Sequence, residues 1–140
     1  MITYFDTSTL IKLIIDEAGS PQAELLWQTA DSLASVRLVI VEARAALAAA
    51  HRSKRLSANQ FSAAKSALAD FVEDLHLVEV TEGLVDDAAR LAEHEALRGY
   101  DAIHLAAALL VGATVLTSAD LALCDAAGRR GLHVANPLVT

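Results

Sequence analysis

Four acidic residues stand at positions from which they could act together on one substrate. Asp6 follows the apolar run ITYF, Asp120 comes shortly after the apolar run TVL, and Asp101 lies near the start of an apolar helical pattern. Glu42 lies within a long segment rich in alanine and leucine. Carboxylates that share one crevice repel each other, and some of them take up protons unless a cation binds. Such oxygen ligands favour Mg²⁺ or Mn²⁺, and the bound ion can promote hydrolysis of a phosphodiester.

These acids can meet only if the fold brings them to one place. Short apolar runs alternate along the chain with segments whose apolar residues recur at helical spacing. The predicted strands are ITYF, SLAS, LHLVEV, TVL and LHV. This alternation is typical of an α/β domain, with helices on both faces of a short, mostly parallel central sheet. Ligands of such sheets bind beyond the carboxyl ends of the strands, which is where Asp6 and Asp120 are expected.

The sequence also predicts where the helices begin and end. Pro21 suits the first turn of a helix, and Ser57 with Gln60 forms a capping-box pattern at the start of another. The segment RGY before Asp101 is interpreted as a connection between helices. We expect helices over residues 8–20, 21–30, 36–51, 57–74, 81–97, 101–110 and 119–131.

Helical spacing places Glu42 among apolar neighbours. The residues predicted to share its face are Leu38, Ala45, Ala46 and Ala49. We therefore expect Glu42 to face the interior, away from the solvated side that carries Arg37 and Arg44. An unpaired buried carboxylate is costly, so such a residue is either functional or paired with an arginine.

Each aspartate also has a purely structural interpretation as the cap of a helix, because aspartate, serine and threonine are preferred at that position. Asp6 and Asp101 each stand at the start of a predicted helix, and Asp120 competes with Ser118 for the cap of the last one. The convergence of three aspartates and one glutamate on one edge favours a functional site. We accordingly predict that Thr7 or Ser8 caps the first helix, which leaves Asp6 for the site.

The composition narrows the class of protein. With 140 residues, of which 54% are hydrophobic, the chain is expected to form a single domain over 1–140. Its net charge of −7 argues against a protein that coats DNA or RNA nonspecifically. The single cysteine, Cys124, can form no internal disulfide, which predicts a reducing, cytoplasmic location. Asp6 interrupts the first apolar run, and no apolar stretch reaches the roughly 20 residues of a membrane helix, so neither a signal peptide nor a membrane segment is expected.

Four segments of the chain resemble a known family. They are YFDTSTLIKL, VRLVIVEARAAL, LRGYDAIHLAAAL and TSADLAL, followed by GLHV, and in this order they resemble the PIN domain over residues 2–137. More narrowly, they are similar to VapC-type ribonuclease toxins of type II toxin–antitoxin systems. The resemblance implies a three-layer sandwich, a homodimer, an RNA substrate, a ribonuclease site with Mg²⁺ or Mn²⁺, and inhibition by a cognate antitoxin.

The resemblance also assigns roles to particular residues by position. The four catalytic acids of the family fall on Asp6, Glu42, Asp101 and Asp120. Asp6 and Asp101 are the implied primary metal ligands, and the other two complete the site through water or a second metal. The implied supporting hydroxyls are those of Thr7, Ser8 and Ser118.

The last motif departs from the family pattern. The family often has Thr-x-Asp there, whereas Thr117 stands three residues before Asp120 in this chain. Ser118 then takes the position of the hydroxyl.

Two further features have both a functional and a structural interpretation. His104 lies three residues after Asp101, and a buried, hydrogen-bonded core residue is favoured over a metal ligand because Mg²⁺ prefers oxygen. The basic residues Arg52, Lys54 and Arg55 could contact the RNA backbone. They could equally form a solvated helix end, where positive charge suits the helix dipole.

Two other functions were compared with a metal-dependent ribonuclease. A signalling receiver domain needs an acidic pair after the first strand, an acceptor aspartate after a middle strand and a lysine after a late strand. LHLVEVTEG lacks that aspartate and TVLTSAD lacks that lysine, so this interpretation is rejected. The remaining alternative is a PIN-fold binding module that is catalytically inactive, against which the retained acids argue.

Overall fold

In a computed structural model, which describes residues 1–139, helices pack on both faces of one five-stranded sheet. The strands are β1 (Ile2–Phe5), β2 (Ser32–Val36), β3 (His76–Val78), β4 (Val115–Thr117) and β5 (His133–Ala135). The helices are α1 (Thr7–Lys12), α2 (Ser20–Thr29), α3 (Val39–Arg52), α4 (Ala58–Glu73), α5 (Glu82–Glu95), α6 (Gly99–Leu110) and α7 (Leu121–Arg129). None of the helices within residues 1–139 is both long and apolar enough to cross a membrane.

The strand order is β3-β2-β1-β4-β5, and every neighbouring pair is parallel. The predicted α/β fold is therefore confirmed. The chain builds the sheet outward from β1 to one side and then returns to add β4 on the other side. Phe5 pairs with Thr117 at the carboxyl ends of β1 and β4, and the Asp6 amide donates to the Thr117 carbonyl at 3.2 Å. The residues that follow these two strands thus leave the sheet side by side, where such folds bind ligands.

Two apolar clusters fill the space between the sheet and its helices. One cluster joins Tyr4 and Leu116 of the sheet to side chains of α5, α6 and α7, including Leu84, Leu105 and Leu123. The other is built from α1, α3 and α4 and includes Leu10, Val39, Leu47 and Leu68. Burial of apolar surface on both faces fixes the three-layer arrangement, because each helix has its own apolar stripe to cover.

Several element boundaries differ from the predicted ones. The first helix ends at Lys12, because the next residues form turns that bury Ile15 and pair Lys12 with Glu17. Helix α3 begins at Val39 rather than 36, since Val36 remains in the sheet opposite Val78. The strand predicted from LHLVEV is shorter, ending at Val78.

The segment RGY is not a simple connection. Helix α6 already begins at Gly99, so Asp101 lies in its first turn instead of capping it. The residue at the cap position is Arg98, whose side chain makes no capping hydrogen bond. Asp101 therefore keeps its carboxylate for contacts outside the helix.

Gly19, which precedes α2, is the glycine whose replacement the structure tolerates least. Its φ angle is +90°, and an added Cβ would lie 2.9 Å from the Pro137 carbonyl oxygen. We expect Gly19→Ala to lower the free energy of unfolding by about 1–3 kcal/mol, because a non-glycine residue is strained in this region.

The matched control is Gly128→Ala in α7, where an added Cβ meets nothing within 4 Å. Alanine is the better helix former, so this variant should gain about 0.5–1 kcal/mol. Urea unfolding of both variants measures the two effects. Equal stability of Gly19→Ala and the unmodified protein would contradict the role of this turn.

Candidate active site

Asp6 is buried directly after the central strand and accepts three hydrogen bonds. Its side chain is only 4% exposed. The Thr9 amide donates to Oδ1 at 3.0 Å, the Ser8 hydroxyl donates to the same oxygen at 2.7 Å, and the Ser118 hydroxyl donates to Oδ2 at 2.5 Å. Burying a carboxylate is costly unless hydrogen-bond donors satisfy its oxygens, and Asp6 has three such donors.

The prediction that Thr7 or Ser8 caps the first helix was wrong. Asp6 itself has the extended backbone of a capping residue, and its carboxylate reaches the Thr9 amide. Thr7 already belongs to the helix, so its side chain points to other partners. Asp6 therefore both caps α1 and belongs to the candidate site, whereas the sequence had suggested two different residues for these roles.

Serine hydroxyls connect Asp6 to the loop after β4. The Ser118 hydroxyl, which donates to Asp6, also accepts from the Asp120 amide at 2.9 Å. The Ser8 hydroxyl accepts from the Ala119 amide at 3.0 Å. The structure thus places the predicted supporting residues Ser8 and Ser118 on either side of the Asp6 carboxylate.

Asp120 caps α7 and also faces a basic residue. Its Oδ1 accepts from the Leu123 amide at 3.0 Å, so Asp120 rather than Ser118 provides the cap. Its Oδ2 accepts from a terminal nitrogen of Arg98 at 2.8 Å. Arg98 also donates through Nε to Oδ2 of Asp101 at 3.0 Å. Arg98 therefore bridges two of the predicted site acids, a role that the sequence analysis missed although Arg98 stands three residues before Asp101.

The surroundings of Asp101 disfavour the ionised form of its carboxyl group. Burial raises the pKa of its carboxyl above the ordinary value. The ion pair with Arg98 acts in the opposite direction, but the negative charge of Asp120 raises the pKa further. Its side chain is 13% exposed, and a raised pKa in a partly buried acid is typical of functional sites.

Glu42 lies at the margin of the buried face of α3. The buried residues of this helix are Val39, Ala43, Leu47 and Ala50. The prediction of the buried face was wrong by one position toward the N-terminus. It was based on Leu38, Ala45, Ala46 and Ala49, of which Ala45 and Ala49 are exposed. Because Glu42 borders the buried face without belonging to it, 21% of its side chain is exposed.

The partners of Glu42 are Thr7 and His104 rather than an arginine. The Thr7 hydroxyl donates to Glu42 Oε1 at 2.8 Å, and His104 Nε2 lies 2.7 Å from the same oxygen. Burial alone would raise the pKa of Glu42, but the contacts with His104 and Thr7 outweigh it and bring the pKa below its ordinary value. Glu42 is therefore held in its ionised form.

His104 is a hydrogen-bonded core residue, as the favoured interpretation of the sequence had it. It is 2% exposed, and its Nδ1 lies 2.8 Å from the Tyr4 hydroxyl oxygen. The contact with Glu42 could not be read from the sequence, because the two residues are far apart along the chain.

The basic residues Arg52, Lys54 and Arg55 are not brought to the acids. Arg52 is ten residues from Glu42 on α3, or about 15 Å along the axis at about 1.5 Å per residue. Arg55 forms an ion pair with Glu17 at 3.2 Å. Their contact with RNA remains a prediction, and the ion pair favours the solvated helix end.

Shared partners connect the four acids. Ser118 links Asp6 to Asp120, and Arg98 links Asp120 to Asp101. Thr7, the neighbour of Asp6 in the chain, holds Glu42. The atoms that these four residues could offer to an ion are all carboxylate oxygens, which suit a hard divalent cation. Within residues 1–139, however, no three His, Cys, Asp or Glu side chains are close enough to hold an ion, and Arg98 supplies the positive charge between Asp101 and Asp120.

Comparison with known proteins identifies the family of this chain. A family model described as PIN domain matches residues 3–129. The chain belongs to the PIN-domain family. This PIN domain is also 40% identical over 134 residues to ribonuclease VapC45 of Mycobacterium tuberculosis (strain CDC 1551 / Oshkosh), a match that covers 96% of this chain and 91% of the relative. The family predicted from the sequence motifs, a PIN domain similar to VapC proteins, is therefore confirmed.

Solved structures share the fold of this PIN domain. PAE2754 from Pyrobaculum aerophilum matches with a TM-score of 0.73 at 24% identity, covering 96% of this chain and 83% of that protein. A chain of a toxin–antitoxin complex from Klebsiella pneumoniae matches with a TM-score of 0.66 at 23% identity, covering 96% of this chain and 97% of that one. At these identities the likeness establishes the common fold.

The raised pKa of Asp101 predicts a stability effect that does not depend on catalysis. The folded protein binds the Asp101 proton more tightly than the unfolded chain does, so this group stabilises the fold when protonated, and that contribution is lost as pH rises through the folded pKa. We expect Asp101→Asn to be at least as stable as the unmodified protein at pH 7. The advantage should shrink as the pH is lowered toward 4.

Urea unfolding at four pH values, with EDTA present, measures this difference. The control is Asp70→Asn on α4, which removes one exposed negative charge at a distance from the site. A loss of stability in Asp101→Asn that is largest at pH 7 would show that the pair with Arg98 dominates instead.

Proposed function

We propose that this PIN domain is an endoribonuclease that hydrolyses RNA phosphodiesters with the help of Mg²⁺ or Mn²⁺, and that it acts as the toxin of a toxin–antitoxin pair. The observation that carries the proposal is the connected set of four carboxylates, in which Asp6 and Asp120 follow β1 and β4 and shared partners link Glu42 and Asp101 to them. Ribonuclease chemistry is supported by the relatives, and the acid set supplies the oxygen ligands that this chemistry uses.

In this proposal, the role of each acid follows from the hydrogen bonds that it makes in the structure. Asp6 and Asp101 are the primary ligands of the ion. Asp6 is held rigidly by its three donors, whereas Asp101 Oδ1 accepts no hydrogen bond from residues 1–139. Glu42 and Asp120 complete the site, and Glu42 Oε2 is similarly left without a protein donor in the described part of the chain. An acid with one anchored and one available oxygen can accept a proton from an attacking water molecule.

A bound ion would add positive charge to that of Arg98, which is paired with only two of the four acids. When bound, it would polarise the phosphodiester and promote in-line attack by water. The carboxylates balance that charge, and Thr7, Ser8 and Ser118 keep the acids in position through their hydroxyls.

Conservative replacement of the acids tests the catalytic assignment. We expect Asp6→Asn and Asp101→Asn to lower the rate of RNA cleavage at least about a hundredfold, because each removes a charged ligand. Asparagine is as good a helix cap as aspartate, so Asp6→Asn avoids the capping loss that alanine would cause. Sequencing of cleaved RNA ends after expression of each variant measures activity in cells, and a purified RNA substrate measures it in solution.

Asp70→Asn on α4 serves as the control for these variants, because it removes an exposed acid outside the connected set and should cleave normally. Full cleavage by both site variants in buffer with millimolar Mn²⁺ would refute the assignment.

Arg98 provides a test of metal binding that requires no substrate. Its guanidinium is ion-paired with Asp101 and Asp120, so a metal ion that uses these acids must compete with it. We expect Arg98→Ala to bind Mn²⁺ about three- to tenfold more tightly, since the ion then no longer competes with an exposed guanidinium for these two carboxylates. Titration calorimetry with Mn²⁺ measures the affinity.

The matched control is Arg90→Ala, which removes an exposed arginine paired with Asp87 three residues away on α5. Its Mn²⁺ affinity should equal that of the unmodified protein. If Mn²⁺ neither binds nor raises the melting temperature of either variant or of the unmodified protein, the inactive binding module becomes the better interpretation.

The partners follow from the proposed toxin function. A neighbour in fold comes from a toxin–antitoxin complex, which supports a cognate antitoxin as the inhibitor of this chain. We further propose that the protein is a homodimer and that it works in the cytoplasm, where RNA is the substrate and Cys124 stays reduced.

A further inference from the structure

The contacts of His104 fix its ring from both sides. The residue is 2% exposed, Tyr4 Oη lies 2.8 Å from Nδ1, and Glu42 Oε1 lies 2.7 Å from Nε2. The Tyr4 and His104 rings meet edge to face, with centroids 5.8 Å apart. Since both nitrogens have partners on different elements, β1 and α3, a flipped or tilted ring would lose at least one of them.

Glu42 determines which nitrogen of His104 must carry a proton. A carboxylate only accepts hydrogen bonds, so the 2.7 Å contact with Glu42 Oε1 requires a proton on Nε2. The Tyr4 hydroxyl can either donate or accept, and it lies completely buried 2.8 Å from Nδ1, so it satisfies that nitrogen.

The bond from His104 leaves Glu42 with two unlike oxygens. Oε1 accepts from both His104 and Thr7, whereas Oε2 has no hydrogen-bond donor within residues 1–139. Thr7 follows Asp6 directly in the chain, so the anchoring of Oε1 also sets the position of Glu42 relative to Asp6. Groups that orient a functional carboxylate in this way typically affect activity 10- to 100-fold without touching the substrate.

We propose that His104 is a positioning residue of the ribonuclease reaction, and that Tyr4 acts through it. The donor on Nε2 holds Glu42 Oε1 so that Oε2 faces the reacting groups. The inference rests on the proposed function, because it assigns to Glu42 a part in that reaction. A structural role alone would require only that the buried ring be satisfied, and it would not make the rate depend on a donor at the Nε2 position.

Two substitutions at His104 separate these roles. His104→Leu fills the space without a donor, whereas His104→Gln places an amide N–H near the position of Nε2. We expect His104→Leu to lower kcat on an RNA oligonucleotide about 10- to 100-fold at saturating Mn²⁺, with KM changed less than about threefold. His104→Gln should recover most of that loss. His94→Gln on the exposed side of α5 is the control and should behave as the unmodified protein.

A spectroscopic measurement tests the inference without any catalysis. Nitrogen chemical shifts of His104, measured by NMR without metal, should show a proton on Nε2 in the unmodified protein. Tyr4→Phe removes the partner of Nδ1 but leaves the carboxylate that Nε2 contacts, so Nε2 should keep its proton, with a lower kcat and an unchanged overall fold by circular dichroism.

Particular outcomes would overturn the proposal. They are a His104→Leu rate within twofold of normal, a His104→Gln variant as slow as His104→Leu although both remain folded at the assay temperature, or a wild-type ring without a proton on Nε2. Asp6→Asn in the same assay keeps this failure distinct from failure of the proposed function. If the unmodified protein cleaves RNA, Asp6→Asn does not, and His104→Leu cleaves normally, only the positioning role is lost.

Discussion

A carboxylate buried at the end of a central strand requires hydrogen-bond donors, and the arrangement around Asp6 meets that requirement. Its donors come from the first turn of α1 and from the loop after β4. The loop can supply one only because β1 and β4 are neighbours in the sheet. The Asp6 carboxylate therefore depends on three features: the strand order, the helix that follows β1, and the serine after β4. Without the Asp6 carboxylate, β1, α1 and the loop after β4 would lose the hydrogen bonds that join them at this point.

Helix capping and site formation use the same residues in this fold. Asp6 caps α1 and Asp120 caps α7, and in both cases the carboxylate also contacts a side chain that links two acids, Ser118 for Asp6 and Arg98 for Asp120. The start of a helix carries unpaired amides and a partial positive charge, which suit an aspartate. Acids that would repel each other in one crevice are thus partly balanced by backbone donors. The backbone amides therefore reduce the electrostatic repulsion among the acids, in addition to the positive charge of Arg98.

The sequence predicted the layers and the family better than the contacts. Alternating apolar runs and helical spacing were sufficient for the parallel sheet, and the motifs around Asp6 and Asp101 were sufficient for the PIN domain. The face of α3 was predicted one position away, because its alanines fit either side of the helix and only packing against Leu10 and Ile11 distinguishes them. The pair of Arg98 with Asp120 and that of His104 with Glu42 could not be predicted, since they depend on which helices approach each other across the sheet edge.

The contact between Ser118 and Asp6 joins residues 112 positions apart. A ribosome makes Asp6 long before Ser118 and the strand that precedes it. Until then the first strand has no neighbour on one side, and the carboxylate lacks one of its three hydrogen-bond donors. A chain cut short between Asp6 and Ser118 therefore lacks both one side of the sheet and part of the acid set. Under the proposed function, such a fragment would lack part of the machinery for cutting RNA, and only chains that extend past Asp120 would carry all four acids.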